Sequence, residues 1–409
     1  MPTHLARNTR RRMAANQGLF DYRSKYTYKV GSEPPLRGAA TASNPASFSL
    51  YGVKIAVVCP YSLGYPGGVQ SQVVGLTEEM RRLGHEVELL APCDDVKPPY
   101  EMICLGPSLR LRANGSIAPT GLRTTTLAAL RRELRRAKFD LVHLHEPLAP
   151  GPALVTLASV RVPVVGTFHR QGVSLPYLAW GRLLRPLADR LALRFAVSED
   201  AARTASRVVG GEYRVVGNGV DLRRFAAEPS WPKSGRSVLF LGRHEHRKGL
   251  EVLLEAVPLV ESDVQFWIAG DGPQSPELHR RYAGLKNVHW LGRISDSEVA
   301  LRLRAADVYV APSLYGESFG VVLLEAMAAS TAIIASDITG YRDVARDAKE
   351  ALLVPPGDHR RLAESIDLVL SDRALAERLV AKGSVRAAEF SMEGLAKMYL
   401  SAFEEALSA

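Results

Sequence analysis

Two successive series of alternating strand and helix patterns constrain the fold of this chain more than any other feature. From residue 54 onward, short apolar runs alternate with segments in which apolar residues recur at helical spacing, and the alternation begins again after residues 218–221. Alternating strands and helices are typical of a parallel sheet covered by helices on both faces. The runs that we predict to be strands are residues 55–59, 86–91, 141–144 and 162–168, and then 238–241, 264–269, 288–291, 308–311 and 332–336.

The length of the chain agrees with two domains of this kind. The protein has 409 residues, whereas a single hydrophobic core seldom grows beyond ~250 residues. We therefore predict an α/β fold of two Rossmann-like domains that face a central cleft, at residues 52–217 and 218–386. Residues 387–409 are predicted to form a helix, capped by Ser391, that packs back on the first domain.

The first 51 residues differ from the rest of the sequence. They are rich in Arg and Lys, lack apolar periodicity and contain no apolar segment of a secretory signal, so we interpret them as a flexible basic tail. Over the whole chain, 52 Lys and Arg residues against 43 Asp and Glu residues give a net charge of +9. This charge favours anionic partners such as phosphates or acidic lipids. The basic residues are not interleaved with aromatic ones, so we predict no nucleic-acid partner.

The cysteines and the apolar runs indicate where the protein acts. Cys59, Cys93 and Cys104 are odd in number and lie in or beside apolar runs, so we expect buried free thiols in a reducing, cytoplasmic environment. The sequence has no run of ~18 uninterrupted apolar residues, which leaves peripheral association as the only contact with a membrane.

A glycine pair follows the first predicted strand. Gly67 and Gly68 directly precede a segment with helical spacing, and backbone N–H groups at such a helix start can approach an anion. The segment is not the G-x-G-x-x-G fingerprint, which argues against a nicotinamide cofactor. A tight turn that uses glycine only for its backbone explains the pattern equally well.

A basic loop follows the strand predicted at residues 238–241. It contains Arg243, Arg247 and Lys248, at the carboxyl end of a strand where open α/β sheets bind ligands. Such cations can bind a diphosphate and neutralise it as it leaves. Taken alone, the loop is equally typical of a solvated basic surface.

Two glutamates, Glu317 and Glu325, flank Gly320 and an apolar run. Glu325 falls inside a predicted helix that is otherwise apolar, where an unpartnered carboxylate is costly to bury. We therefore expect Glu325 to face a polar ligand such as vicinal sugar hydroxyls, which can donate two hydrogen bonds to one carboxylate. The alternative is a surface glutamate that pairs with a nearby arginine.

Taken in this order, the three motifs resemble those of the retaining glycosyltransferases of family four, which have the GT-B fold. The resemblance covers residues 54–400. Within that family, the chain is most similar to the actinobacterial phosphatidylinositol mannosyltransferases that add the first mannose. This similarity rests on residues 59–62, 66–71, 114–116, 145–147 and 167–169.

The resemblance implies a reaction and a role for individual residues. The expected donor is GDP-mannose or another NDP-sugar, the expected acceptor is the inositol headgroup of phosphatidylinositol, and no cofactor or metal is required. The implied donor-binding residues are Gly68 at the phosphates, Arg243, Arg247 and Lys248 at the diphosphate, Glu325 at the ribose, and Glu317 with the backbone of Ser318, Phe319 and Gly320 at the sugar. The implied catalytic residues are His169, Glu317, Arg243 and Lys248, and the implied acceptor-binding residues are Tyr61, Gln70 and Asn114.

His169 would be interpreted as an ordinary core histidine without the resemblance. It ends a predicted strand, as does His145, to which we assign a structural role at the floor of the cleft. The histidines lack the carboxylate or cysteine neighbours that would complete a metal site.

Residues 123–138 read as a basic amphipathic helix. Leu127, Leu130, Leu134 and Ala137 form one stripe at helical spacing. The cations that crowd the flank of this stripe are Arg131, Arg132, Arg135, Arg136 and Lys138. The pattern fits an anionic membrane surface or a solvated face equally well. The resemblance favours membrane contact, at the cytoplasmic face of the plasma membrane.

Several departures from the family pattern bear on the acceptor. Ala113 and Pro119 stand where the similar enzymes tend to carry Tyr and Arg, and the spacing from Arg243 to Lys248 is one residue short. Two alternatives therefore stay open: a soluble transferase that acts on an inositol phosphate or another small acceptor, and a non-catalytic protein that binds sugar nucleotides. The sequence does not indicate an oligomeric state.

Overall fold

The computed structural model describes residues 52–65, 67–94, 100–113, 116–226 and 230–409. The predicted basic tail, at residues 1–51, and Asn114 lie outside the described residues. Within the described part of the chain, two parallel sheets are each flanked by helices. The predicted α/β fold with two Rossmann-like domains is confirmed.

The first domain contains a parallel sheet with the strand order β3-β2-β1-β6-β7-β8-β9. A separate antiparallel hairpin, β4–β5, follows β3. The strands of the first domain are β1 Lys54–Val58, β2 Glu86–Ala91, β3 Ile103–Cys104, β4 Leu109–Ala113, β5 Ser116–Thr120, β6 Leu141–His145, β7 Val164–Phe168, β8 Leu191–Ala196 and β9 Arg214–Val215. Its helices are α1 Gly68–Arg82, α2 Thr124–Arg136, α3 Pro152–Ser159, α4 Leu175–Ala188 and α5 Glu199–Val209.

The second domain repeats this design with the strand order β12-β11-β10-β13-β14-β15. Its strands are β10 Arg236–Leu241, β11 Val264–Ala269, β12 Val288–Gly292, β13 Val308–Ala311, β14 Ala332–Ser336 and β15 Leu352–Val354. Its helices, together with the last one, are α6 Leu222–Ala226, α7 Leu250–Ala256, α8 Ser275–Arg281, α9 Asp296–Ala305, α10 Val321–Ala328, α11 Thr339–Arg342, α12 His359–Ser371, α13 Arg373–Glu389 and α14 Met392–Ser408.

The central strands are apolar because helices cover both faces of each sheet. Every residue of β6, β7, β13 and β14 is buried, as expected for parallel strands that lie between two helical layers. In the first domain, α1 and α14 pack on one face, whereas α2, α3, α4 and α5 pack on the other. Ser391 caps α14 by accepting a hydrogen bond from the Gly394 N–H at 3.2 Å.

The chain passes between the two sheets at a point where both connecting segments meet. Val220 N–H donates to Phe390 O at 2.9 Å, and Met392 N–H donates to Val220 O at 2.9 Å. The side chain of Gln72, on α1, hydrogen-bonds both the N–H and the C=O of Gly219, at 2.8 and 2.7 Å. Because these buried polar groups satisfy one another, the crossing is a defined structural element.

The expectation that all three cysteines are free thiols is wrong. Cys93 and Cys104 form a disulfide with their Cα atoms 5.5 Å apart, and only Cys59 is free and buried. The pairing follows from the sheet, because β2 and β3 are parallel neighbours and Ala91 lies opposite Cys104. The two-residue β3 has no pattern in the sequence that predicts this contact.

The predicted strands agree with the structure to within a few residues. The largest shifts are of two residues: β10 begins at Arg236 and not at residue 238, and β7 begins at Val164 and not at residue 162, because Pro163 has no N–H to donate to the ladder. The strands β3, β8, β9 and β15 and the hairpin β4–β5 are not among the predicted strands. Among the described residues, no helix is long and apolar enough to cross a bilayer.

Candidate active site

The carboxyl edge of the first sheet carries a row of histidines. His145 ends β6 and His169 follows β7, and the parallel pairing of these strands brings the two rings together, with His145 Nδ1 2.9 Å from His169 Nε2. Behind them, His143 Nε2 lies 2.8 Å from Thr167 Oγ1, which in turn lies 2.9 Å from the Tyr399 hydroxyl. His145, assigned a structural role from the sequence, therefore contacts the predicted catalytic residue directly.

These histidines are neutral at physiological pH. Burial lowers the pKa of His143 and of His169 to about 3, and burial together with the neighbouring rings holds the pKa of His145 well below its ordinary value. Each ring therefore has one N–H donor and one nitrogen acceptor. His169 can orient a hydroxyl through hydrogen bonding, without adding positive charge.

Glu146 fixes the backbone at His169. Its Oε1 accepts the His169 backbone N–H at 2.6 Å, and its own backbone adopts a φ of 48°, which is uncommon for a residue with a side chain. Burial raises the pKa of Glu146 to about 7. The sequence motif 145–147 predicts a structural role at the floor of the cleft, and the hydrogen bond to the His169 backbone is a structural role of this kind for Glu146.

The start of α1 leaves space for a ligand. A side chain added at Gly68 would meet no atom within 4 Å, and the first turn of α1 has neither an acidic residue nor a side-chain cap. Gly68 does not have a positive φ, so the backbone does not require glycine there. The geometry favours the interpretation in which backbone N–H groups face an anion.

In the second domain, Glu317 collects three hydrogen-bond donors. Its Oε1 lies 2.7 Å from Lys248 Nζ, 3.2 Å from an Arg247 nitrogen and 3.1 Å from Ser313 Oγ. Burial alone would raise the pKa of Glu317, but the charges of Lys248 and Arg247 outweigh this effect and hold the pKa below its ordinary value. Glu317 is thus ionised and largely buried beside two cations.

The basic loop owes its shape to Gly249. This residue has a φ of 65°, and any side chain there would collide with the Pro312 carbonyl. The close approach places Lys248 against the segment that carries Glu317. Glu245 holds the other two cations, with Oε1 3.1 Å from Arg243 Nε and Oε2 3.1 Å from Arg247 Nε.

Glu325 lies on α10 and is mostly buried, with 18% of its side chain exposed. An Arg224 nitrogen from α6 lies 3.5 Å from its Oε1. Glu325 therefore does pair with a nearby arginine, as the alternative interpretation expects, but the pair does not lie on the surface. Burial raises the pKa of Glu325, against the opposing charge of Arg224. No sequence pattern distinguishes Arg224 from Arg223, which pairs with Glu79 instead.

The residues between the two glutamates have separate tasks. The Phe319 side chain is 5% exposed and packs edge-to-face on Phe390, with ring centroids 5.5 Å apart. Gly320 starts α10 with a φ of 80°, and Tyr341 lies against the position that a side chain would occupy. The Phe319 side chain is thus used in packing and Gly320 has none, whereas Ser318 is partly exposed.

Two of the predicted acceptor residues lie at the edge of the first sheet. Tyr61 pairs with Thr120 of the hairpin through an isolated β-bridge, and burial raises its pKa well above the ordinary value, so its hydroxyl stays protonated. Gln70, in the first turn of α1, donates to Ser62 O at 3.4 Å. Tyr61 and Gln70 thus flank the loop that connects β1 to α1.

Comparison with known proteins shows the family to which the chain belongs. Residues 66–224 match the model described as Glycosyltransferase Family 4, and residues 223–386 match the model described as Glycosyl transferases group 1. The chain is 38% identical over 362 residues to the phosphatidyl-myo-inositol mannosyltransferase of Mycobacterium leprae, which covers 86% of this chain and 96% of that protein. This chain belongs to glycosyltransferase family 4.

Other relatives of this glycosyltransferase agree with the assignment. The phosphatidyl-myo-inositol mannosyltransferase of Propionibacterium freudenreichii is 33% identical, covering 72% of this chain and 80% of that protein. Among solved structures, sucrose-phosphate synthase of Thermosynechococcus elongatus superposes with a TM-score of 0.69 at 23% identity, covering 87% of this chain and 99% of that chain. The Anabaena HepE protein, solved with UDP and glucose, gives a TM-score of 0.68 at 17% identity, covering 86% of this chain and 100% of that chain. These two structures share the fold.

The cations predicted for membrane contact are all exposed on or just after α2 of the glycosyltransferase. Leu130 of the apolar stripe is buried in the core, and Leu127, Leu134 and Ala137 pack against it. Glu133 pairs with Arg132 and Arg136. The cations for which the described residues show no ion pair are Arg131, Arg135 and Lys138.

Among the residues that the structure describes in this glycosyltransferase, no three His, Cys, Asp or Glu side chains form a group that could hold a metal ion. In the histidine row, His143 Nε2 bonds to Thr167 and His145 Nδ1 to His169 Nε2, whereas His143 Nδ1 and His145 Nε2 are buried without a hydrogen-bond partner among the described residues.

Proposed function

We propose that this glycosyltransferase transfers mannose from GDP-mannose to the inositol headgroup of phosphatidylinositol, with retention of configuration, at a membrane surface. The observation that carries the proposal is the pair Glu317 and Lys248, a buried carboxylate in contact with a cation at 2.7 Å. A charged sugar diphosphate needs both kinds of group at once. The acceptor is supported by the relatives at 38% identity, which are named for mannosyl transfer to phosphatidyl-myo-inositol.

Donor binding would rearrange the partners of Glu317. The diphosphate competes for Lys248 and Arg247, since charge-assisted bonds to phosphate are as strong as those to a carboxylate. Glu317 then accepts hydrogen bonds from sugar hydroxyls, and Glu325 accepts those of the ribose. Gly68 leaves room for the phosphates at the start of α1.

The proposed chemistry breaks the bond from the sugar C1 to the diphosphate oxygen and forms the bond from C1 to the acceptor oxygen on the same face. The acceptor proton passes to the departing phosphate oxygen. Lys248 and Arg243 stabilise the developing negative charge. His169, neutral because it is buried, holds a sugar hydroxyl without repelling the positive charge that builds up on the ring.

The acceptor half of the proposal rests on the first domain. Tyr61 and Gln70 present hydrogen-bonding groups at the edge of the first sheet, and we assign Asn114 to the same group. The unpaired cations of α2, with Arg132 and Arg136, would attract anionic lipid and hold the protein at the cytoplasmic face of the plasma membrane.

The test is a reaction of the purified protein with GDP-mannose and phosphatidylinositol vesicles, followed by GDP release and by NMR of the product's anomeric carbon. An α-mannosyl lipid that forms only with vesicles supports donor, acceptor and stereochemistry together. Turnover with a UDP-sugar in place of GDP-mannose would show that the donor assignment is wrong. Turnover with a free inositol phosphate in the absence of lipid would show that the acceptor assignment is wrong. Donor binding without any product would favour the non-catalytic alternative.

A further inference from the structure

Helix α4 has an apolar face that points away from the protein. Leu175 and Leu183 are 82% and 72% exposed, whereas Tyr177, Gly181, Leu184 and Ala188 on the opposite side of α4 are buried. At 100° per residue, the outward apolar residues fall within roughly 100° of arc. They are Leu175, Pro176, Ala179, Leu183 and Pro186, all of them exposed. We call this surface the α4 apolar face.

This face differs from the other exposed apolar side chains of the described chain. Leu259, Leu368 and Val385 are also exposed, but each lies on a different element of the second domain. Single exposed apolar residues are ordinary on soluble proteins. Several on one helix form a patch, and patches mark interaction sites.

Positive charge flanks the α4 apolar face. Arg182 and Arg185 are exposed on the same helix, and neither forms an ion pair with a described side chain. Asp189, at the end of the helix, is paired with Arg194 at 2.9 Å. A helix that combines an outward apolar stripe with uncompensated arginines has the composition of a helix that lies in an anionic membrane interface.

The location of α4 connects this surface to the reaction. The chain runs from His169 directly into α4, and Val173, itself 37% exposed, lines a cleft of about 330 Å³ with Arg203 and Arg207 of α5. The helix also belongs to the layer that contains α2, since α2 packs on α3 and α3 packs on α4. The α4 apolar face and the cations of α2 therefore belong to helices on the same face of the first sheet.

We propose that the α4 apolar face inserts into the interface of an anionic phospholipid bilayer. The cations of α2, together with Arg182 and Arg185 on α4, then bind lipid phosphates. The proposal rests on the proposed function, because the acceptor is then a lipid of the same bilayer. Insertion at α4 would bring the cleft that Val173 lines with Arg203 and Arg207 to the membrane surface. The sequence pattern predicts membrane contact for α2 alone.

The experiment measures binding of the full chain to vesicles of phosphatidylcholine and phosphatidylinositol by co-sedimentation, without donor. The double variant Leu175→Ser/Leu183→Ser is expected to bind about tenfold more weakly, because two leucines no longer leave water. Leu368→Ser, an exposed leucine on α12, is the matched control and is expected to bind like the wild type. Arg182→Ala/Arg185→Ala is expected to weaken binding at low salt and to change it little at high salt.

Unchanged vesicle binding by the double leucine variant would overturn the proposal. So would light scattering that shows a wild-type dimer that this variant dissociates, because the face would then bind a second copy of the chain. Since the assay contains no GDP-mannose, a wrong donor assignment leaves its result intact. Circular dichroism checks that each variant is folded.

Discussion

Lys248 Nζ lies 2.7 Å from Glu317 Oε1. The lysine that we assign to the diphosphate and the carboxylate that we assign to the sugar thus form an ion pair with each other. This pairing keeps a largely buried carboxylate from being left without a partner, which would be costly. It also means that the donor must offer replacements to both groups when it binds.

Replacing Lys248 tests its role in turnover. Lys248→Ala is expected to lower kcat by about 10²–10³-fold, the usual effect of losing one group that stabilises charge in the transition state. Lys233→Ala is the control, since Lys233 lies in the same domain and pairs with Asp307 at 2.6 Å. Steady-state kinetics and a thermal melt separate lost chemistry from lost folding. Near-normal turnover in the Lys248 variant would exclude it from the site.

Glu325→Gln tests the ribose contact. The variant keeps the shape of the side chain but loses its charge, and we expect the donor KM to rise about 10–100-fold, with kcat less affected. Titration of GDP by calorimetry measures the affinity for the nucleotide directly, without turnover. Glu364→Gln, on the exposed face of α12, should leave the affinity as it is. If both variants bind GDP equally well, Glu325 has only its structural contact with Arg224.

The histidine row predicts how stability depends on pH. Burial lowers the folded-state pKa of His143 and His169 to about 3, below the unfolded value, so their contribution is complete above the unfolded pKa and is lost as the pH falls. Glu146, with a pKa raised to about 7, acts in the opposite sense, since its contribution is lost as the pH rises. The three histidines, together with His244, whose pKa burial lowers to about 4, outweigh the raised carboxyls of Glu146, Glu325 and Asp343. The free energy of unfolding should therefore decrease between pH 6.5 and pH 5.

Urea unfolding at several pH values measures this slope. His143→Leu removes one titrating group and should make the slope shallower by about 1.4 kcal/mol per pH unit, whatever it does to absolute stability. His289→Asn, at an exposed position on β12, serves as the comparison. Identical slopes for the wild type and the His143 variant would mean that His143 is not held neutral by burial.

The Cys93–Cys104 disulfide predicts a count of thiols. In denaturant, the oxidised protein should show one reactive thiol, from Cys59, and the reduced protein should show three. Cys104→Ser is expected to destabilise the first domain by about 2–3 kcal/mol, the usual value for a short closed loop. Three reactive thiols in protein prepared under oxidising conditions would contradict the pairing.

Much of the fold was predictable because strand and helix periodicities are local. Nine strands of the two parallel sheets are recognisable in the sequence as apolar runs. The same patterns predict that Glu317 lies in a loop and Glu325 in a helix. The two-residue strands β3 and β9 are too short to have a periodicity. The strand β8, Leu191–Ala196, is only partly buried and includes Arg194, so its sequence lacks a continuous apolar run.

Site residues that act through long-range contacts were not predictable in the same way. Arg224 reaches Glu325 across about a hundred residues of sequence, and no spacing rule connects them. The disulfide depended on the register of β2 with β3. The role of Glu146 required knowing that its carboxylate turns toward the His169 backbone. These contacts exist only once the sheet has been assembled.

The packing of α14 has a consequence for how the protein is made. Its residues Ala396, Tyr399 and Phe403 complete a core with strands from the beginning of the first domain. During synthesis, that domain leaves the ribosome long before α14 does, so the apolar face that α14 covers stays exposed until the last residues emerge. A gene fragment cut at the crossing near Val220 would encode a first domain without the helix that covers this face. Co-expressing α14 as a separate peptide is therefore the sensible way to dissect the enzyme.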